Sequence, residues 1–299
     1  MESPKLQDAL EHYLENWNDF THPGLFSMAC EAVGGKPDAA LPPQAAIAMM
    51  AAAFDIHDDI IDKSNLKHKI PTVYGRFGPE IALLLGNGFL IEGFTLLADS
   101  MTAFPQERQQ EVLSKIKKLL FEVGKAHALE VNLKLEKKYT LKDYIKVTEM
   151  KAAGIEADMY LGALFGKGRD VECEILANTG RILGILATLR DDLIDIFDIE
   201  ELRQRMAVHD LPLPLMFAMM NQDAPTRIAH ITEKDTITET NVAELVDFAL
   251  KSKPVIKMEE KMRCLIAQGL NLTKKLPVNR SKRQIQILLT FMLEDLQFS

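Results

Sequence analysis

Two long stretches of this sequence are apolar on nearly every side of the helix that they would form. They are "PQAAIAMMAAAFDIH" at residues 43–57 and "TGRILGILATLRDD" at residues 179–192. A surface helix keeps one polar face, whereas a helix that is apolar all round is buried among other elements. Apolar patterns with a period of 3.6 residues dominate the rest of the chain, and alternating β-branched runs are scarce. The sequence therefore predicts an all-α bundle whose central helices are surrounded by other helices.

The candidate helices follow one another without a long linker or a low-complexity stretch, so we expect a single domain over residues 1–299. Short segments rich in proline and glycine mark the loops between them, notably at residues 67–79. The predicted helices lie near residues 4–18, 43–62, 78–100, 106–134, 141–166, 171–198, 212–221, 241–250, 255–273 and 281–297.

Composition excludes several classes of protein. The formal net charge of -8, with both signs interspersed, argues against a nucleic-acid partner, which requires a basic face. The three cysteines are far apart and fit reduced thiols, and the polar, amphipathic N-terminal segment does not read as a signal peptide, so we expect a cytoplasmic protein. Asn87 and Glu92 interrupt the longest apolar run, so we expect no transmembrane segment.

Each of the two apolar stretches ends in the motif D-D-x-x-D, and Asp55 adds a fourth acid one turn before the first motif. The triplets are Asp58, Asp59 and Asp62, and Asp191, Asp192 and Asp195. Like charges one helical turn apart destabilise a helix, and the penalty grows when the charges are desolvated. One triplet alone would fit a solvated acidic face, but a random chain of this length contains two on the order of 0.2% of the time.

Paired carboxylates with free oxygens are typical of magnesium sites. Mg²⁺ keeps several waters and binds proteins through one or two carboxylates together with substrate phosphates. Two such sites that faced each other across a bundle would hold one diphosphate group between them. The cations would then stabilise the charge that develops when this group leaves. The motifs therefore predict metal-assisted chemistry on a diphosphate.

With these motifs the sequence resembles the trans-isoprenyl diphosphate synthases, or polyprenyl synthetases. The motifs lie about 130 residues apart, and further matches follow the order of the family. These are "GGK" at 34–36, "PTVYGRFG" at 71–78, "MKAAG" at 150–154 and "GRILGILATLRDD" at 180–192. The resemblance implies an isoprenoid-synthase-type helical bundle around a central prenyl cavity, and a homodimer.

The resemblance also implies an activity and a set of site residues. An allylic prenyl diphosphate would ionise under about three Mg²⁺ ions, and isopentenyl diphosphate would attack the cation. The six aspartates become metal ligands, and Lys151 becomes a diphosphate contact. Lys67 stands where the family has an arginine, and it is a weaker candidate for the same role because lysine lacks the planar fork.

The expected site for isopentenyl diphosphate departs from the family. Ala39 and Ala51 replace an arginine and a histidine or glutamine, and alanine cannot donate a side-chain hydrogen bond. His68 replaces a second arginine, so only Lys36 remains of four expected groups. Thr188 stands where the family has a glutamine next to the second motif. Isopentenyl diphosphate is therefore an uncertain partner.

Three functions remain open. In the first, the enzyme elongates prenyl chains, and Lys36 and His68 hold the acceptor in a changed way. In the second, the cation meets water, an internal double bond or another acceptor, which is lyase chemistry or an unusual prenyl transfer. In the third, the chain is a non-catalytic subunit of a heteromeric synthase. The six retained aspartates disfavour this third function, because a non-catalytic subunit does not need metal ligands.

Ala53 and Met50 bear on the length of the prenyl chain. In the family, a bulky aromatic residue five positions before the first motif limits the product, and Ala53 occupies that place. With Met50 one turn deeper, the small side chain predicts room for a product of twenty carbons or more. The alternative is that Ala53 is a small residue at a crossing of two helices.

Overall fold

A computed structural model describes residues 3–17, 20–67, 69–135, 140–197, 202, 212–220, 228, 230–231 and 238–294. These residues are almost entirely helical, which confirms the all-α prediction. The elements are α1 (Pro4–Asn16), α2 (Thr21–Ala32), α3 (Leu41–Asp62), β1 (Leu66–Lys67), β2 (Ile70–Pro71), α4 (Val73–Phe77), α5 (Pro79–Ser100), α6 (Gln106–Leu135), α7 (Leu141–Lys151), α8 (Ala153–Phe165), α9 (Asp170–Ile194), α10 (Leu213–Met220), α11 (Glu239–Leu250), α12 (Lys253–Thr273) and α13 (Arg280–Phe291).

Three details of the helix prediction were wrong. Helix α2 was missed, because Pro23 and Gly24 in its first turn read as loop residues, although proline is tolerated there. The helix predicted over residues 141–166 is two helices that meet at Ala152. The loop predicted at residues 67–79 contains a short antiparallel hairpin and helix α4.

The described residues belong to two compact units. The first is drawn from residues 1–121, 154–180 and 276–282. The second is drawn from residues 122–153, 181–275 and 283–299. The first aspartate motif therefore lies in the first unit, and the second motif lies in the second unit.

In the first unit, glycines let helices α3 and α5 approach closely. A Cβ atom at Gly86 would lie 2.6 Å from Nε2 of His57, and one at Gly93 would lie 2.8 Å from Cγ of Met50. Both distances are too short for real atoms, so a side chain at either glycine would force the helices apart. This packing fixes the face of α3 that carries Met50 and His57 against α5.

Helix α1 covers another face of α3 in the same unit. Ala9 and Tyr13 of α1 pack in one apolar cluster with Ile56 of α3, Val73 of α4 and Leu85 of α5. All five are buried. The cluster places the C-terminal half of α1 beside the acidic end of α3.

In the second unit, helix α10 packs against α11 and α12. The ring of Phe217 on α10 lies 5.6 Å from the ring of Tyr144 on α7. Gly269 on α12 admits Leu289 of α13, because a Cβ atom there would lie 2.8 Å from its Cδ2 atom. The contact with Phe217 covers the face of α7 that carries Tyr144, which is buried.

Among the described residues, two segments are long and apolar enough to cross a membrane by length and composition alone. They are Pro37–Asp62 and Pro79–Ser100. Of their apolar windows, 44% and 28% are buried. Core helices of soluble proteins meet the same criteria, so the absence of a transmembrane segment stays a prediction.

Candidate active site

The first aspartate motif occupies the last turn of α3. Asp59 is buried, Asp58 is half-buried and Asp62 is exposed. The helix ends there because Lys63 adopts the left-handed conformation, with φ 55°. The C-terminal end of a helix carries partial negative charge, so three carboxylates in its last turn are unfavourable unless a cation compensates them.

Lys67 supplies one such cation to Asp59. Its Nζ atom lies 2.9 Å from Oδ1 of Asp59 and 2.6 Å from Oδ1 of Asp55, one helical turn earlier on α3. Burial raises the pKa of Asp59 to about 6, although the ammonium of Lys67 acts in the opposite direction. Desolvation lowers the pKa of Lys67, but the charges and hydrogen bonds of Asp55 and Asp59 raise it by more, to above its ordinary value.

A cavity of about 470 Å³ opens beside this ion-pair cluster in the first unit. Its walls combine Asp55, Asp59 and Lys67 with two aromatic residues, Tyr13 of α1 and Trp17 directly after it. Strand β2 and the start of α4 line the remaining side. The cavity is thus partly aromatic, with its charged groups along one edge.

The wall formed by α1 is held by His12. The guanidinium of Arg76 can only donate, so Nδ1 of His12 accepts from Nη1 of Arg76 at 2.9 Å. The Nε2–H group of His12 then donates to the carbonyl of Pro71 at 2.7 Å. These two bonds fix the orientation of the imidazole and tie α1 to the hairpin and to α4.

The second aspartate motif ends helix α9. Asp191 and Asp192 lie in its last turn, and Asp195 follows immediately, with its backbone N–H bonded to the carbonyl of Asp191. The hydroxyl of Tyr144 donates a hydrogen bond to Oδ2 of Asp192. Tyr144 is 2% exposed and is held by Phe217, so this contact orients the Asp192 carboxylate.

Sequence reasoning did not identify Tyr144 as a site residue. Its spacing could have indicated it, because Tyr144 precedes Lys151 by seven residues and therefore lies on the same face of α7. Asp55 was likewise noticed without a role. Its spacing of four from Asp59 places the two carboxylates on one face of α3.

Lys151 lies at the end of α7, and its Nζ atom is 2.6 Å from Oε2 of Glu130 on α6. Both side chains belong to the second unit. Nearby, the guanidinium of Arg181 binds both carboxylate oxygens of Glu122 at 2.9 and 3.1 Å. Lys151 is therefore held in place by an acidic partner.

The other predicted site residues are more dispersed. Lys36 is exposed just before a short 3₁₀ turn, and the Oγ1 atom of Thr188 donates to the carbonyl of Gly184 at 3.1 Å within α9. Ala53 and Met50 are buried on α3. His68 lies outside the described residues. The functional roles of all these residues stay predictions.

The residues fit magnesium in their chemistry. No group of three acidic, histidine or cysteine side chains converges on one point within the described ranges. Magnesium does not require such a cage, because waters and substrate phosphates complete its coordination. Carboxylates in the last turns of α3 and α9, where the helix dipole opposes them, are the oxygen donors that a hard cation would stabilise.

Comparison with known proteins identifies the relatives of this chain. The family model for polyprenyl synthetase matches residues 3–249. A geranylgeranyl diphosphate synthase of Methanosarcina mazei is 28% identical over 190 residues, which are 63% of this chain and 58% of that protein. Geranylgeranyl pyrophosphate synthase 7, chloroplastic, of Arabidopsis thaliana is 30% identical over 215 residues, 69% of this chain and 61% of that protein. The matches thus span less than two thirds of either relative.

The fold also matches a solved structure. A geranylgeranyl pyrophosphate synthetase of Pyrococcus horikoshii superposes with a TM-score of 0.81 at 23% identity. The match covers 97% of this chain and 90% of the other. This likeness confirms the prediction of a helical bundle of the isoprenoid-synthase type.

Proposed function

The chain belongs to the polyprenyl synthetase family, and on that premise we propose that it catalyses Mg²⁺-dependent prenyl transfer from an allylic diphosphate. The acceptor that we propose is isopentenyl diphosphate, and the product has about twenty carbons, as the names of the matched relatives suggest. The observation that carries the proposal is that each aspartate motif ends a long helix with a buried apolar face. Such an arrangement destabilises the free protein and favours a bound cation.

The aspartates would hold the cations at the substrate diphosphate. Asp58 and Asp62 act from the first motif, while Asp191 and Asp195 act from the second. Tyr144 holds Asp192 in one orientation by its hydrogen bond, so this carboxylate keeps its place before substrate arrives. When bound, Mg²⁺ neutralises the charge that develops on the leaving diphosphate.

The basic residues divide between the two substrates. Lys151, held by Glu130, contacts the allylic diphosphate, and Lys36 and His68 hold the acceptor. Thr188 borders the substrate near the second motif. Ala53 and Met50 leave room for the prenyl chain, and their small or flexible side chains set its length.

We propose that the protein is a cytoplasmic homodimer, with each chain folding as one domain. Helix α5 supports the homodimer, because Leu83, Leu84 and Ile91 are 48%, 55% and 68% exposed. Apolar residues in such a row are typical of a surface that a second subunit covers. Helices α6 and α9 contribute residues to both compact units, which favours cooperative folding of the chain.

A specific observation also favours a second function. Alanines occupy positions 39 and 51, where the family has groups that hold the acceptor, so few groups are left to bind a second diphosphate. An enzyme with this site would ionise the allylic substrate and pass the cation to water, an internal double bond or another acceptor. This alternative is a lyase or an unusual prenyltransferase.

The test is incubation with Mg²⁺ and allylic diphosphates of ten, fifteen or twenty carbons, each with and without isopentenyl diphosphate. Longer diphosphates that form only with isopentenyl diphosphate are the expected result. Hydrocarbons or alcohols that form without it would establish the second function instead. Unchanged substrate in every reaction would contradict both functions and leave the non-catalytic subunit.

A further inference from the structure

The hairpin that follows α3 places the ammonium of Lys67 between two carboxylates. Lys67 pairs with Ile70 across the hairpin, and its Nζ atom reaches Asp55 at 2.6 Å and Asp59 at 2.9 Å. An ammonium group has three hydrogens. One of them is committed to the hydrogen bond with Asp55, and the carboxylate of Asp59 brings a second negative charge to 2.9 Å from the same ammonium.

Asp55 has no place in the D-D-x-x-D motif, and its position on α3 differs from that of Asp58. Asp55 and Asp59 are one turn apart, about 40° around the helix, whereas Asp58 is offset from Asp59 by about 100°. Asp55 therefore stands beside the Lys67 edge of the cavity. It is the acid that makes the cluster negative overall, with two carboxylates for one ammonium.

We propose that Asp55 is a specificity-determining residue that withholds Lys67 from anionic ligands in the cavity beside the first motif. The proposal rests on the proposed function, since it concerns how the Lys67 side of the first motif receives a substrate diphosphate. A cluster of net negative charge next to the aromatic walls of Tyr13 and Trp17 disfavours an anionic ligand in this cavity.

The experiment measures binding of inorganic pyrophosphate to the full-length protein by calorimetry, in buffer with a chelator so that no metal takes part. Asp55→Asn frees Lys67 from one carboxylate, and we expect pyrophosphate to bind about fivefold more tightly than to the wild type. Asp55→Glu keeps the charge and should restore the weaker binding. In the double variant with Lys67→Gln, the gain should disappear, because the cation that Asp55 withholds is gone.

Asp247→Asn is the matched control. Asp247 pairs with Lys251 at 2.6 Å on an exposed face of α11, so the variant loses the same charge and an ion pair of equal length. Circular dichroism and thermal unfolding check that each variant folds, and Asp55→Ser replaces Asp55→Asn if the latter does not. A gain no larger than that of the control would overturn the proposal, as would a gain that persists without Lys67.

Turnover of allylic diphosphates is measured separately on the same variants. If no variant turns over substrate but Asp55→Asn binds pyrophosphate more tightly through Lys67, the proposed function fails and the role of Asp55 stands. If turnover with isopentenyl diphosphate is normal and pyrophosphate affinity is unchanged, the role of Asp55 fails and the function stands. The two ideas are therefore tested independently.

Discussion

The hydroxyl of Tyr144 donates a hydrogen bond to Oδ2 of Asp192, which ties a buried residue of α7 to the second aspartate motif. Because Tyr144 is held in turn by Phe217, the carboxylate is fixed by two layers of contacts. Groups that orient metal ligands in this way affect both metal affinity and activity. The contact thus gives the second motif a preset geometry.

Tyr144→Phe removes this hydrogen bond and leaves the ring packing in place. We expect the apparent affinity for Mg²⁺ and kcat/KM to fall about tenfold or more, with a loss of stability of about 1 kcal/mol. Kinetics over a range of Mg²⁺ concentrations measure the first effect, and urea unfolding measures the second. Tyr74→Phe, in α4 of the other unit, is the control. Unchanged Mg²⁺ dependence in Tyr144→Phe would limit its role to stability.

The aspartate motifs should be necessary for turnover. Asp58→Asn and Asp191→Asn each remove a charged oxygen donor, so we expect activity to fall by roughly 100-fold or more. A chelator should abolish the activity of the wild type, and added Mg²⁺ should restore it. Asp99→Asn, exposed on α5, removes the same charge away from both motifs. Normal turnover in both motif variants would contradict the proposed function.

The buried Asp59 should make stability depend on pH in the metal-free protein. Its pKa is raised from 3.8 to about 6, so the unfolded chain releases this proton first. Stability therefore falls as pH rises from about 4 to about 6, by on the order of 2–3 kcal/mol. Asp59→Asn lacks this titration, so the stability of the variant relative to the wild type should rise across that window and level off above it. Unfolding by urea at several pH values measures this difference, and a constant difference would contradict the assignment.

The sequence was sufficient to predict what depends on local pattern. Helices α3 and α9 were predicted because their sequences are apolar on nearly every side of the helix. The acids at their ends were recognised because they interrupt these apolar sequences. The two motifs also supported the family resemblance. Helix α2 was missed because its proline and glycine are common loop residues. The burial of residues such as Phe26 stabilises it as a helix.

The contacts that refine the site could not be predicted in this way. Tyr144 and Asp192 are separated by 48 residues, and nothing in either local pattern indicates the other. The pairing of Lys67 with Asp55 depends on the hairpin of strands β1 and β2, each two residues long. Lys69, in the turn of this hairpin, has a φ of 68°. Such contacts follow from tertiary packing, which single-sequence periodicity does not encode.

Ala53→Phe tests the predicted control of chain length. Ala53 is fully buried on α3, so the larger ring should cost about 1–3 kcal/mol of stability and shorten the accepted prenyl chain. Chromatography of the products formed from ten- and fifteen-carbon substrates measures the length. Met50→Leu conserves volume and should leave the product unchanged. A destabilised Ala53→Phe enzyme with normal products would mean that Ala53 only packs a helix crossing.

The exposed apolar row on α5 should form the contact between two copies of the chain. Ile91 is 68% exposed, and Ile91→Asp would place a charge in the interface, where it cannot be solvated. We expect the variant to sediment as a monomer at concentrations at which the wild type is a dimer. Val278→Asp, at a residue that is 81% exposed outside α5, introduces the same charge and should leave the dimer intact. A wild-type monomer, or a dimer that both variants retain, would exclude this face as the interface.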